Sequence, residues 1–462
     1  MSVNVHKALF IYIVWVASLS AGLSGLVYGH TSERKDVDES GWRAAYCPLW
    51  IPSPTSPPFL TVKAGDVHRL AWLLQHAQPG TVIGLEEGEY RLGADSSLVV
   101  TQPRLTLTGL SGSRESVQIL GGTITLAVQA DDFTVANITL RAPKFHGIQV
   151  YGEQGASRIH VYNVHILDAG QQLFKVSTGD GRKGKFSDDG VIACSRFEYT
   201  TYAVGTDRTP PSYTNGVDLL AGRGWIIRDN VFSRIRSQAG PAGPAILVWK
   251  NAQDTIVIRN MIIDSWRGIA LGLAPPDRQS RGGASVLYDH QNGIVENNVI
   301  LALHEPADAA IENNFAKDSR IFHNTIYYTE DLDHAVPWSI EYRYGPTTVI
   351  IKNNLTNRPI RKRFPWPTSR AEITGNITQA KREWFRDVFA ADIHLRPGSP
   401  AIDYREATLV SYWDIDGTCR PVGVRPDSGA DEFVLPGIPL PAEAPCARKK
   451  YGTLPSDRMF TR

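Results

Sequence analysis

"TIVIRNMIIDSWRGIALG", Thr255 to Gly272, is the stretch on which the fold turns. Its apolar residues come as Ile256-Val257-Ile258 and Met261-Ile262-Ile263, runs too short for a helix and rich in β-branched side chains, so they read as strands. A single amide, Asn260, separates them, and Asp264-Ser265-Trp266-Arg267-Gly268 intervenes before the apolar pattern resumes.

The phrase recurs around Asn137, Asn163, Asn230, Asn298, Asn324, Asn354 and Asn376, and with Asn260 included the gaps are 26, 67, 30, 38, 26, 30 and 22 residues. The long gap divides into 31 and 36 when Cys194 takes the Asn place. A variable period of this size, with strand-like runs and no helix between them, marks a parallel β-solenoid in which each repeat is one coil. In such a stack a buried Asn pairs with the same turn in the coils above and below. A buried amide must be paired, so the Asn column is expected to be structural.

A second phrase opens at His146, Gln172, Asn215, Pro244, Arg267, Ala309 and Trp338, and in it apolar and variable residues alternate. Period two sends one side to the core and the other to solvent or substrate. With Ile148, Phe174, Val217, Ile246, Ile269, Ile311 and Ile340 inward, the outward column reads Gln149, Lys175, Asp218, Leu247, Ala270, Glu312 and Glu341. The next outward positions include Tyr151, Leu220, Trp249, Gly272 and Arg343. This is expected to be an exposed sheet, with "DSWRG" (264–268) as the turn that leads into it and Gly268 permitting the bend.

The ends have their own signals. Residues 1–29 contain a short apolar run after His6-Lys7 and then small residues, the pattern of a secretory signal peptide; retention as an N-terminal anchor is the alternative. A polar and Pro-rich linker or strap (30–60) precedes "GDVHRLAWLLQHAQPG", which sets Val67, Leu70, Ala71, Leu74 and Ala77 on one helical face, with Asp66 as cap and Pro79-Gly80 as stop. A solenoid must plug its open end, so this helix is the expected N-terminal cap of a coil domain spanning 61–390, with 391–434 as the C-terminal cap and 435–462 as a tail. Four cysteines, Cys47, Cys194, Cys419 and Cys446, allow one or two disulfides in an exported chain. A net charge of +1 leaves no footprint for nucleic acid.

"AQPGTVIGLEEGEYRL", the Asn column, "HLRPGSPAID", "DIDGTCRP" and "PDSGADE" together resemble the secreted right-handed parallel β-helix proteins that include chondroitinase B, alginate lyases and pectate-lyase-like enzymes. The resemblance spans about residues 60 to 434. It implies an all-β, right-handed parallel β-helix with an N-terminal capping helix and a C-terminal cap. It also implies a secreted or periplasmic protein, expected as a monomer, whose partner is an acidic polysaccharide. Lyases of this group use a Lys and an Arg about one coil apart; Lys250 stands at a similar place, the matching Arg is missing from "IALGL", and Arg267 precedes that strand.

β-Elimination from a uronic acid needs a group that neutralises the carboxylate, a base for the adjacent proton, and a way to release the leaving oxygen. Lys175, Asp218, Lys250, Arg267 and His146 are the catalytic candidates; Lys175 and Asp218, about 4.8 Å apart on neighbouring strands, form the leading pair. Gln149, Tyr151, Trp249, Glu312, Glu341 and Arg343 are the substrate-binding candidates, Trp249 for stacking on a sugar ring. Glu312 and Glu341 also offer an acid and base for hydrolysis. The residues demand no cofactor; calcium is the one cation suggested, at Asp188 and Asp189. A non-catalytic glycan-binding module is the alternative function.

Overall fold

The computed structural model describes residues 46–52, 58–181, 183–364, 367–404 and 406–435. The expected signal segment, most of the linker, Cys446 and the tail beyond residue 435 lie outside these residues. Three parallel sheets of twelve, ten and ten strands run through the molecule. The opening stretch is one coil: Ile256–Ile258 belongs to the twelve-stranded sheet (the first), Met261–Ile263 to a ten-stranded sheet (the second) and Arg267–Leu271 to the other (the third). Each strand pairs with its counterparts one coil away, Ile269 with Ile246 and Ile311 for example. The inward column from Ile148 to Ile340 is buried throughout, each residue at most 1% exposed, and stacks like on like. Burying such a side chain stabilises by roughly 1.5–3 kcal/mol.

The corner between the first and second sheets needs one left-handed residue per coil. Strand register places Asn137, Asn163, Cys194, Asp229, Arg259, Asn297, His323 and Asn353 there, all at φ between 51° and 57°. Asn230, Asn260, Asn298, Asn324, Asn354 and Asn376 therefore occupy the next position, in line with Ser195 rather than Cys194. The single Asn column expected from the sequence is two columns offset by one residue. The later one is a continuous ladder: each Nδ2 donates to the Oδ1 of the next Asn at 2.8–3.0 Å, and each also donates to a carbonyl such as that of Ile227, Val257 or Val295. These amides are structural because their hydrogen-bonding capacity is spent within the stack.

The bend into the third sheet is carried by Asp264 (φ 48°), whose carboxylate accepts from the Leu303 and His304 amides, rather than by Gly268. Gly268 is required for another reason: a Cβ there would meet the Ala310 carbonyl oxygen at 2.2 Å. The capping helix spans Val67–His76, with the Asp66 carboxylate accepting from the Arg69 amide at 3.0 Å. It buries Leu70, Leu73 and Leu74; Leu73 lies outside the expected face.

Two straps dress the left-handed corner. Tyr46 to Trp50 cover the early coils through the Cys47–Cys194 disulfide and through hydrogen bonds from Tyr162 and Asn137 to the Pro48 and Trp50 carbonyls. The C-terminal cap runs back over the late coils, accepting from Asn353 at Thr408 and from Asn297 at Trp413. The two meet where the Tyr46 hydroxyl donates to the Asp414 carbonyl. The last parallel strand in chain order is Arg370–Thr374, and the segment expected to close the open end lies largely along the flank instead. Cys419 is also disulfide-bonded. Among the described residues no helix is long and apolar enough to cross a membrane.

Candidate active site on the third sheet

Strand register aligns Gln149, Lys175, Asp218, Leu247, Ala270, Glu312 and Glu341 as the alternation requires. The face is not evenly open. Gln149 and Lys175 are half-buried, whereas Asp218 is 2% exposed and Glu341 0%. Loop length changes along the same axis. Four residues connect Thr139–Arg141 to His146–Tyr151, but eighteen connect Arg196–Glu198 to Val217–Leu220.

Lys175 is the centre of the open end. Its Nζ donates to Asp218 Oδ2 at 2.8 Å and to the Tyr213 hydroxyl at 3.4 Å. Burial acts to lower the Lys175 pKa, but the Asp218 carboxylate and Tyr213 outweigh it, so the group sits above the usual lysine value and is an ammonium. Asp218 Oδ1 accepts from Trp249 Nε1 at 2.8 Å, which fixes both the carboxylate and the indole. His146 lies on the preceding coil. Its Nδ1 faces the Gln172 carbonyl at 3.3 Å, and burial, aided by the Lys175 charge, pushes its pKa down to about 3. It is a neutral imidazole; with Nδ1–H donated to Gln172, Nε2 carries the lone pair. Phe145, tilted against His146 at 6.4 Å, adds an aromatic wall. Gln149 donates to Ser177 Oγ at 3.3 Å, and Ser177 donates to Glu153. Tyr151 is half-buried, its pKa raised by burial and by Glu153.

The other candidates fall elsewhere. Lys250 sits in the turn after its strand, over the Trp249 ring at 4.3 Å, with Nζ on Asp277 at 2.6 Å; it anchors a loop. Arg267 opens its strand rather than preceding it, and Asp308 (2.8 Å) and Glu312 (3.3 Å) hold it. Arg343 bridges Glu312 (3.1 Å) and Glu341 (3.2 Å), and Glu341 also binds Arg363 (3.3 Å) and Trp338 Nε1 (2.7 Å). Burial raises the Glu341 pKa, with Arg343 opposing and Glu312 adding to the rise. Two buried carboxylates locked by three guanidiniums leave no room for a sugar oxygen between them.

Asp188 and Asp189 do not fit calcium. The Asp188 carboxylate is taken by the Arg281 and Arg223 guanidiniums and the Arg223 amide, and Asp189 stands exposed beside it. Calcium needs six to eight oxygens, and two cations already occupy the best of these. Among the described residues one other group could gather a metal: His394, Asp416 and Asp431 in the C-terminal cap, with ligand atoms within 4.8 Å of one another. There Asp416, against the effect of burial, lifts the His394 pKa to about 10, so a proton already occupies the ring.

Tyr213 was not legible in the sequence. It sits in the irregular eighteen-residue loop, where no periodicity assigns it a face.

No protein-family model and no curated protein matches the sequence. Among solved structures the chain is similar to the pectate lyase Pel9A, with TM-score 0.54 and 11% identity over 86% of this chain and 100% of that one. The chain is a right-handed parallel β-helix. It is also similar to a rhamnogalacturonan lyase (TM-score 0.45, 10% identity, 68% of this chain and 84% of that one). A mannuronic acid specific polysaccharide family 6 lyase from human gut microbiota gives TM-score 0.40 and 12% identity over 69% of this chain and 83% of that one. At these identities the likeness is one of fold; chemistry has to come from the side chains.

Proposed function

We propose that this β-helix is a carbohydrate-active enzyme, a polysaccharide lyase that cleaves a uronic-acid-containing polymer by β-elimination at His146, Lys175 and Asp218. The observation that carries the reading is a buried, neutral imidazole on the coil before a half-buried, charged ammonium, with the Phe145 ring against the first and the Tyr213 ring against the second. Of the three ammonium protons of Lys175, one goes to Asp218 and one to Tyr213, which leaves one for a substrate carboxylate. Pairing that carboxylate with Lys175 makes the adjacent C5 proton more acidic and stabilises the charge that builds up as it leaves. His146 Nε2 is the base that takes it. Trp249, held by Asp218, stacks on a sugar ring at the groove edge. The hydrolase reading is less well supported, because Glu312 and Glu341 are both spent in ion pairs. An oxidising compartment outside the cytoplasm belongs to the same proposal, supported by the Cys47–Cys194 disulfide.

The test is a panel of acidic polysaccharides, with and without calcium, followed by the absorbance of the unsaturated uronate product and by new reducing ends. Turnover of one polymer is expected, independent of calcium at Asp188. Lys175→Met should cut kcat by about 10²–10³, the usual cost of removing one preorganised stabilising charge. Binding without new chain ends would make the protein a glycan-binding module; reducing ends without absorbance would make it a hydrolase.

A further inference from the structure

We propose that Tyr213 is the proton donor to the leaving oxygen in this elimination, an assignment that rests on the lyase reading above. Its hydroxyl lies 3.4 Å from Lys175 Nζ, and the ammonium also sits 5.6 Å from the centre of its ring. The residue is 45% exposed, open to a bound polymer, unlike the deeply buried tyrosines of the coils. The neighbouring backbone holds it firmly. Thr214 Oγ1 donates to the Gln171 carbonyl at 2.7 Å, and Asn215 Nδ2 donates to the Pro244 carbonyl at 2.8 Å, both residues being buried. Earlier in the same loop Gln171 donates to Thr209 at 2.9 Å. A phenol on such a base keeps its position while substrate comes and goes.

His146 approaches Lys175 from the preceding coil, and Tyr213 lies in the connection to the following strand. A uronate whose carboxylate is paired with Lys175 thus meets a base from one side and an acid from the other. His146 Nε2 takes the C5 proton, and the C–H electron pair becomes the C4–C5 double bond. The C4–O bond breaks, and the departing oxygen takes the Tyr213 proton. The resulting phenolate is left against the Lys175 ammonium, which offsets its charge. The imidazolium then returns its proton to the phenolate through water, which restores both groups; nothing is oxidised or reduced.

Tyr213→Phe keeps the ring beside Lys175 and removes the hydroxyl, both its proton and the oxygen that accepts from Lys175 Nζ, and at an exposed position it leaves the fold intact. On the polymer, kcat should fall about 10²–10⁴-fold, the usual worth of a positioned acid, with KM within about twofold. On a uronate carrying 4-nitrophenol at C4, whose leaving group departs without a proton, the variant should match the unsubstituted enzyme. Equal losses on both substrates, or an undiminished kcat on the polymer, overturn the assignment while leaving the lyase reading in place. Absence of unsaturated product from the unsubstituted enzyme on every polymer overturns both.

Discussion

The outward column of the third sheet passes through two regions that share one strand register and differ in everything else. At the open end Lys175 faces a single carboxylate, Asp218, with Gln149 half-buried beside it. At the closed end Glu312 and Glu341 are buried among Arg267, Arg343 and Arg363. The closed end has more charged groups, yet each of its two carboxylates is held between guanidiniums. At the open end an ammonium with an uncommitted proton and an imidazole with a free lone pair remain. Reactive capacity is what neighbours leave unused, and a count of charges does not reveal it.

The sharpest way to break this comparison is to cut the closed end. Arg343→Met removes the bridge between two buried carboxylates and should cost about 3–5 kcal/mol of stability, the usual result of stranding a buried charge. Turnover per folded molecule should stay unchanged. Lys175→Met should instead lose turnover per folded molecule; it also leaves the 2%-exposed Asp218 with Trp249 Nε1 alone, so some loss of urea midpoint accompanies it. If Arg343→Met instead lost activity at full stability, the catalytic centre would belong at Glu312 and Glu341.

The sequence shows why only part of this was readable. Alternation with period two assigns a face, so the inward and outward columns could be read from Ile148 and Gln149 onward, but the exposure expected of the outward one is not found: Asp218, Leu247, Ala270, Glu312 and Glu341 are buried, and only Gln149 and Lys175 are half-buried. Asn137 and Asn230 look alike in sequence because both end an apolar run. Only strand pairing shows that one takes the left-handed corner and the other the position after it. Burial of Glu341 depends on loops that the strand pattern says nothing about. Tyr213 has no repeat partner at all, and its place beside Lys175 follows from the path of an irregular loop.

Acid sharpens the same contrast. In the folded chain His146 has a pKa of about 3, against 6.5 when unfolded, so between these values the unfolded state binds the extra proton. Its contribution to stability is therefore complete above pH 6.5 and is lost as pH falls toward 3, by roughly 4–5 kcal/mol. Glu341 acts with the opposite sign: its pKa is raised in the fold, so the folded state binds the extra proton, and acidification favours folding there. Thermal midpoints between pH 7 and 4 should therefore fall less steeply in His146→Gln than in the unsubstituted protein, and more steeply in Glu341→Gln. Identical slopes in all three would mean that neither group titrates in its assigned surroundings.

The smallest effect is expected where the column is most open. Gln149 occupies the same register position as Glu312, five strands away along the sheet, but its side chain makes one long hydrogen bond, 3.3 Å to Ser177 Oγ, at a half-buried site. Ser177 keeps Glu153 as a partner when that bond is removed, so nothing buried is left unpaired. Gln149→Ala should therefore change stability by less than about 1 kcal/mol, the net worth of an ordinary neutral hydrogen bond. A modest rise in KM, with kcat unchanged, would place the substrate over Gln149 and set the direction of the polymer toward the early coils. A loss of stability as large as that of Arg343→Met would show that the early coils are as tightly closed as the late ones, and the distinction between the two ends would fall.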